Sequence, residues 1–322
     1  MAEPATGARP SPLRGAPPGA PDGTSSARRS RSVVWQRRRI AAGRMWATYR
    51  RSAMGMAGLV ILVIFALVAV LAPVLIDSSA LDVTKVDGPI LGAPSAEYPL
   101  GTDDVGRSVL ALVVWGSRVS LLIGLLAAFV AMVVGSALGI LAGYKGGMWD
   151  AFLMRFTDWF LVLPFIPLTV TLAAILGSSL LNIVMVLGLT SWPWTARLVR
   201  SQTLSVRERP YVERARGLGA PDRQLIARHV LPNVFPVIFA NAILAISLAI
   251  LAESALSFIG LGDPLRVSWG SVLEQAFDAG ATTQGAWWWI GAPGVCIVIV
   301  VLAFTMRGHA LDEIVNPRLR AR

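Results

Sequence analysis

Residues 54–76 read MGMAGLVILVIFALVAVLAPVLI, 23 positions without a charged side chain. At about 1.5 Å per residue, a helix over this stretch is long enough to cross a hydrocarbon core of about 30 Å. The spacing predicts a first membrane span. A signal peptide does not fit, because its apolar run would be about 7–15 residues long and close to the N-terminus. Residues 119–144 are uncharged between Arg118 and Lys145 and predict a second span. Residues 159–196 lack charge over 38 positions, which as one helix would measure about 57 Å and overshoot the bilayer. Two spans are therefore expected there, near 156–177 and 181–200, with turn residues at Gly177-Ser178-Ser179 and Asn182. Residues 230–252, extended to about Ile259, predict a fifth. Residues 287–306 predict a sixth, opened by Trp287-Trp288-Trp289 at the depth of an aromatic belt.

The composition agrees. Of 322 residues, 55% are hydrophobic and 15% charged, with a mean hydropathy of +0.62. A soluble domain carries about 25% charged residues, and so large an apolar excess cannot be hidden in one core. The fold class is all-α and polytopic. The net charge of +10 points toward nucleic acid until the cations are placed. With the N-terminus inside, 25 of the 29 Lys and Arg fall on the inner side, and only Lys85, Arg107, Arg118 and Arg266 fall outside. Six spans with both termini cytoplasmic follow from that bias, and no nucleic-acid motif remains to be explained.

Residues 1–32 hold six Pro and five Arg with almost no large apolar side chain, so they are expected to stay disordered. Residues 33–51 interleave Arg37, Arg38, Arg39, Arg44, Arg50 and Arg51 with Trp35, Ile40, Met45, Trp46 and Tyr49. That pattern fits a basic amphipathic segment on membrane lipid, and a solvated tail is the plainer reading.

Chemistry-bearing residues are sparse. A phosphate-cradling loop needs Gly-Lys before Ser or Thr, and the two lysines, Lys85 and Lys145, follow Thr84 and Tyr144. If ATP drives this protein, another chain binds it. One cysteine, Cys296, and two histidines, His229 and His309, give no metal-ligand spacing. Glu253 is the one carboxylate inside a span, placed near the outer end of the fifth. It reads first as a polar contact between helices and second as a substrate-pathway candidate. Asp103 and Asp104 precede an apolar run and read as helix caps.

The longest inner loop, 204–232, is the informative one. Pro210 can open a short helix and Gly219 with Pro221 can close it. A further helix is expected from Asp222 to Leu231-Pro232. Ala215 and Gly219, four apart, would leave a flat strip flanked by Glu213, Arg214 and Arg216, suited to a partner's groove. The plain alternative is a solvated turn between two spans.

Here the chain resembles a family. Glu213-x-Ala215-x-x-x-Gly219, followed by His229-Val230-Leu231-Pro232, is similar to the "EAA" loop of permeases in binding-protein-dependent ABC importers. Arg214 stands where a second Ala is common, and His229 where Ile is the general choice. Residues 99–107 (PLGTDDVGR), 116–121 (GSRVSL), 142–147 (AGYKGG), 253–262 (ESALSFIGLG) and 316–319 (NPRL) look like the oligopeptide/dipeptide/nickel branch, most of all its "C" permease.

The resemblance implies a type I importer fold in the cytoplasmic membrane. It implies a homologous permease as heterodimer partner, two ATP-binding subunits and an extracytoplasmic peptide-binding protein. ATP and Mg would sit on the ATPases, this chain would hold no cofactor or metal, and it would not itself be an enzyme. Glu213, Arg214, Ala215 and Gly219 would couple to the ATPase, with Leu231 and Pro232 fixing the helix entry. The implied division is a tail and interfacial segment over 1–52, a first span and outer segment over 53–115, a core over 116–310 containing the loop, and a tail over 311–322. A nickel or other small-solute importer is the alternative of the same architecture, and a stand-alone carrier or a membrane hydrolase belongs to another class. Span composition and charge alone leave importer, carrier and channel open.

Overall fold

The computed structural model describes residues 49–315, together with residues 43 and 47. The expected tail over 1–32, most of the amphipathic segment and the closing Asn316-Pro-Arg-Leu319 motif lie outside the described residues. Every contact given below belongs to the unit Thr48–Arg322. Among the described residues there is no strand, only an isolated bridge between Thr102 and Ser108.

Helix α1, Ala53–Leu75, starts where the Ser52 hydroxyl accepts the Gly55 amide. Its buried stripe of Gly55, Gly58, Leu62, Ala69 and Ala72 keeps a helical period. The remaining faces are apolar too, with Val70 and Val74 open at 73% and 83%. A helix apolar on every side is solvated by lipid. Helix α2, Val109–Lys145, has 37 residues and starts ten positions before the expected 119. Arg118 ends the uncharged run but not the helix.

The expected third span is two helices. Helices α3, Gly147–Val162, and α4, Phe165–Leu176, meet at 88°. Pro164 explains the break: it has no amide to donate and disfavours a helical residue before it, and Leu163 and Pro164 have ψ of 129° and 126°. Arg200 grips Asp150 through Nε and Nη2 at 2.5 and 2.6 Å, and Arg197 reaches Asp158 at 2.5 Å. Both pairs hold α3 against α5, Leu180–Arg207.

The α2–α5 seam is lined by glycines. A Cβ at Gly135, Gly139 or Gly143 would come within 2.6–2.8 Å of Thr195, Ala196 O or Arg200 O. Small residues one turn apart let two backbones approach this closely in a membrane.

After α6, Pro210–Gly217, a rod runs from Asp222 to Leu261. Its regular part is α7, Leu231–Leu256, flanked by π turns at Ile226–Val230 and Ser257–Leu261. The first π turn follows from Pro232, which cannot bond back to Arg228 and whose ring crowds that carbonyl. The Leu231 amide reaches Ile226 O instead. Helix α8, Trp269–Asp278, opens with a capping box between Ser268 and Ser271 and buries Trp269, Val272 and Ala276. Helix α9, Trp287–Val315, closes the described chain.

Among the described residues, four rods are long and apolar enough to cross a membrane: Ala53–Leu75, Val109–Lys145, Asp222–Leu261 and Trp287–Leu311. The α3–α4 pair makes five if counted as one. Helix α5 has the length, but from its middle onward it carries Thr190, Ser191, Pro193, Thr195, Arg197 and Arg200.

These elements define two ends. The loop end gathers the last turns of α2 and α5, α6 and the start of the rod around Val206, Leu225, Val230 and Tyr144. The opposite end gathers the start of α2, α8 and the start of α9 around Val109, Leu112, Val272 and Trp289.

Candidate coupling surface

Helix α6 is short and self-contained. Pro210 occupies its first turn, where a missing amide costs nothing. Its end is a Schellman motif: the Gly219 amide donates to Arg216 O at 2.9 Å and the Ala220 amide to Ala215 O at 3.2 Å. Gly219 sits at φ +83° with open space around the position of a Cβ. Glycine is needed there for its backbone and not for a neighbour's approach.

The orientation of α6 changes the reading of its faces. Val212 is fully buried, and Ala215 packs against the core of the loop end with Leu225 and Val230. The small strip expected to face a partner therefore starts, at Ala215, on the side turned to the bundle. The helix has only Val212 and Ala215 at an i, i+3 spacing to offer the core, so these two decide which way it rolls. The solvent side carries Glu213, Arg214, Gly217 and Leu218, and Leu218 stands out at 83% exposure. Sequence reading passed over Leu218. Its signal was a lone large apolar residue between two glycines of a polar loop.

Leu231 and Pro232 are more than two turns into the rod, on its exposed side just after the π turn. Tyr211 of α6 faces His229 of that turn with ring centroids 6.0 Å apart, and Asn233 donates to His229 O at 2.6 Å. Glu213, Arg214, Ala215 and Gly219 thus lie together on or next to α6, while Leu231 and Pro232 follow the π turn whose His229 faces α6.

Glu253 is elsewhere. It is fully buried at the opposite end, where it accepts from Ser257 Oγ at 2.9 Å, Ser120 Oγ at 3.1 Å and Ser254 Oγ at 3.4 Å. Ser120 in turn accepts the Trp269 amide at 3.1 Å, so one carboxylate joins α7, α2 and α8. Asp103 is not a helix cap. Ser108 holds the N-cap position of α2, while Asp103, fully buried, takes the amides of Val105 and Arg107 and the Arg107 guanidinium at 3.1, 2.7 and 2.6 Å. A carboxylate that closes a tight turn and one that caps a helix look alike in sequence. Asp104 points outward instead. Burial, and then the neighbouring Asp103, hold its carboxyl above the usual carboxylate range.

A groove of about 1430 Å³ opens at this end, between Val70, Leu122 and Leu125 on one side and Arg107, Arg118 and Glu274 on another. Among the described residues, no three His, Cys, Asp or Glu side chains gather as a metal site would require.

A family model described as the inner membrane component of binding-protein-dependent transport systems matches residues 135–321. The chain belongs to this family of transport permeases. A second model, the N-terminal TM domain of oligopeptide transport permease C, matches residues 42–88 of the permease. The dipeptide transport system permease protein DppC of Alkalihalophilus pseudofirmus is 36% identical over 273 residues, covering 84% of this permease and 88% of that protein. The Bacillus subtilis DppC is 33% identical over 278 residues, covering 85% of each. The probable D,D-dipeptide transport system permease protein DdpC of Escherichia coli is 36% identical over 262 residues, 80% of this chain and 86% of that one. Among solved structures, a chain of the inward-facing MetNI methionine ABC transporter superposes with a TM-score of 0.51 at 21% identity, covering 64% of this permease and 95% of itself. That likeness establishes the shared fold.

Proposed function

We propose that the chain is one permease half of a type I, ATP-driven importer of di- and oligopeptides in the cytoplasmic membrane. The observation that carries this reading is the set of dipeptide-system relatives at 33–36% identity over most of both chains. In this reading the bundle crosses the membrane six times, counting the bent α3–α4 pair and α5 as one crossing each, and both termini are cytoplasmic. The Lys and Arg distribution supports that orientation.

A homologous permease forms the other half of the pathway, and an external binding protein delivers the peptide at the opposite end. Two ATPase subunits hold ATP and Mg. Each docks on the solvent side of an α6-type helix, which here presents Glu213, Arg214, Gly217 and Leu218, with Ala215, Gly219, Leu231 and Pro232 keeping that helix in place. The chain supplies no catalytic group and binds no cofactor. Its work is alternating access: nucleotide-driven closure of the ATPases displaces α6, and the bundle moves between two arrangements.

The Gly219→Val chain tests this in cells carrying the whole transport system. A β-branched residue at φ +83° is strained, so α6 ends in the wrong direction. Dipeptide uptake should fall to less than about a tenth of wild type, in line with the size of allosteric couplings, while the chain still reaches the membrane. Undiminished uptake overturns the proposal.

A further inference from the structure

The Tyr144-Lys145 pair at the end of α2 lies outside the docking surface, yet four elements meet on it. Lys145 Nζ is 2.7 Å from Asp222 Oδ2, and the Tyr144 hydroxyl donates to Asp222 Oδ1 at 2.8 Å. Both oxygens of one carboxylate are thus taken by consecutive side chains of α2. Asp222 is the first residue of the Asp222–Leu261 rod. Arg207, the last residue of α5, donates from Nη1 to the carbonyls of Gly143 and Tyr144, each at 3.1 Å. Those carbonyls sit in the last turn of α2, where intrahelical partners run out and a cation is favoured. Arg216 of α6 stands over the Tyr144 ring, 5.7 Å from its centre.

Two features mark this junction as a device for position and not for stability. The Lys145 and Asp222 side chains are 44% and 51% exposed, and ion pairs so open to water contribute little to folding. The residues also border an open pocket of about 400 Å³, with Glu208 and Glu213 completing its lining, so the Lys145 and Asp222 side chains are not locked by close packing, while Tyr144 is anchored in the core. Only Leu218 to Pro221 separate α6 from Asp222. A displacement of α6 is therefore carried forward to Asp222 over a short link, and from there has two exits: along the rod, and across the carboxylate into α2.

We infer that the bridge from Tyr144 and Lys145 to Asp222 is the joint through which movement of α6 is shared between α2 and the rod, with Asp222 as a positioning residue for transport. The inference rests on α6 being the element that the ATPase moves. Without the bridge, the direct tie between the start of the rod and the end of α2 is lost, and α2 lags behind the rod.

The test uses the full transport complex in proteoliposomes. One spin label replaces Leu265, exposed at the opposite end, and a second is placed on the ATPase. Distances are recorded without nucleotide and after trapping with ATP and vanadate, and each variant is normalised to the amount of ATPase that co-purifies. Asp222→Ala should keep its ATPase but reduce the nucleotide-shifted population about tenfold, the scale of a typical coupling between sites. The charge exchange Lys145→Asp with Asp222→Lys should bring it back to within about twofold of wild type, as a pair interaction requires. Tyr144→Phe, which keeps the ion pair and removes one hydrogen bond, should fall between the two and serves if Asp222→Ala does not assemble. A full shift in Asp222→Ala or in Tyr144→Phe overturns the inference alone, as does an exchange variant that stays uncoupled. A wild-type complex that shows no nucleotide-driven shift, or holds no ATPase, overturns the proposed function and this inference with it.

Discussion

The two ends of the bundle are held by different chemistry. The opposite end has buried polar contacts at its centre: Asp103 inside its turn, Glu253 among serines, and the indole N–H of Trp269 on the Val113 carbonyl at 2.9 Å. Each such group has given up water, so breaking one bond leaves an unpaired polar atom. At the loop end the junction of α2 with the rod is closed by the exposed Lys145–Asp222 pair, which water replaces at small cost. One end is built to stay as it is, and the other is built to be remade. A machine whose motive force enters at one end needs that asymmetry.

Substitutions should reproduce the difference in order of size. Asp103→Ala strips the Arg107 guanidinium, only 13% exposed, of its carboxylate. Breaking a buried pair costs about 3–5 kcal/mol, so this variant should show the largest drop in detergent melting temperature and in membrane yield. Ser120→Ala takes one donor from Glu253 and an acceptor from the Trp269 amide. A loss of about 1 kcal/mol is expected, the usual scale for one polar contact between membrane helices, read as a smaller drop in the same melt. Leu218→Ser at the loop end should leave the melt within about 0.5 kcal/mol of wild type and instead weaken ATPase retention on an affinity column. If Leu218→Ser melts as early as Asp103→Ala, the contrast between the ends is wrong.

Much of the helical architecture was legible from uncharged runs, because a membrane makes charge the dominant signal. What escaped depended on single residues or on distant partners. The α3–α4 break was written in Pro164, but a proline inside an apolar run is compatible with a kink as well as with a full turn. Helix α8 was missed because its ten residues sit outside any span, although Ser268 and Ser271 carry its start. The extent of the short loop helix came from Pro210 and Gly219, yet its roll did not, since Val212 and Ala215 acquire an inner side only when Leu225 and Val230 arrive from beyond the turn. The grip on Asp222 joins residues 77 and 78 positions apart, and no local pattern encodes such a meeting.

The π turn at Ile226–Val230 carries one residue more than an ordinary helical turn. Each residue advances a helix by about 100°, so a wheel drawn straight through 222–256 assigns the leading segment to the wrong quadrant. Removing one residue there would swing the Asp222 carboxylate a quarter-circle or more away from Lys145. In this stretch a single codon deletion outranks most amino-acid replacements, and residue count, as much as residue identity, is what evolution must keep.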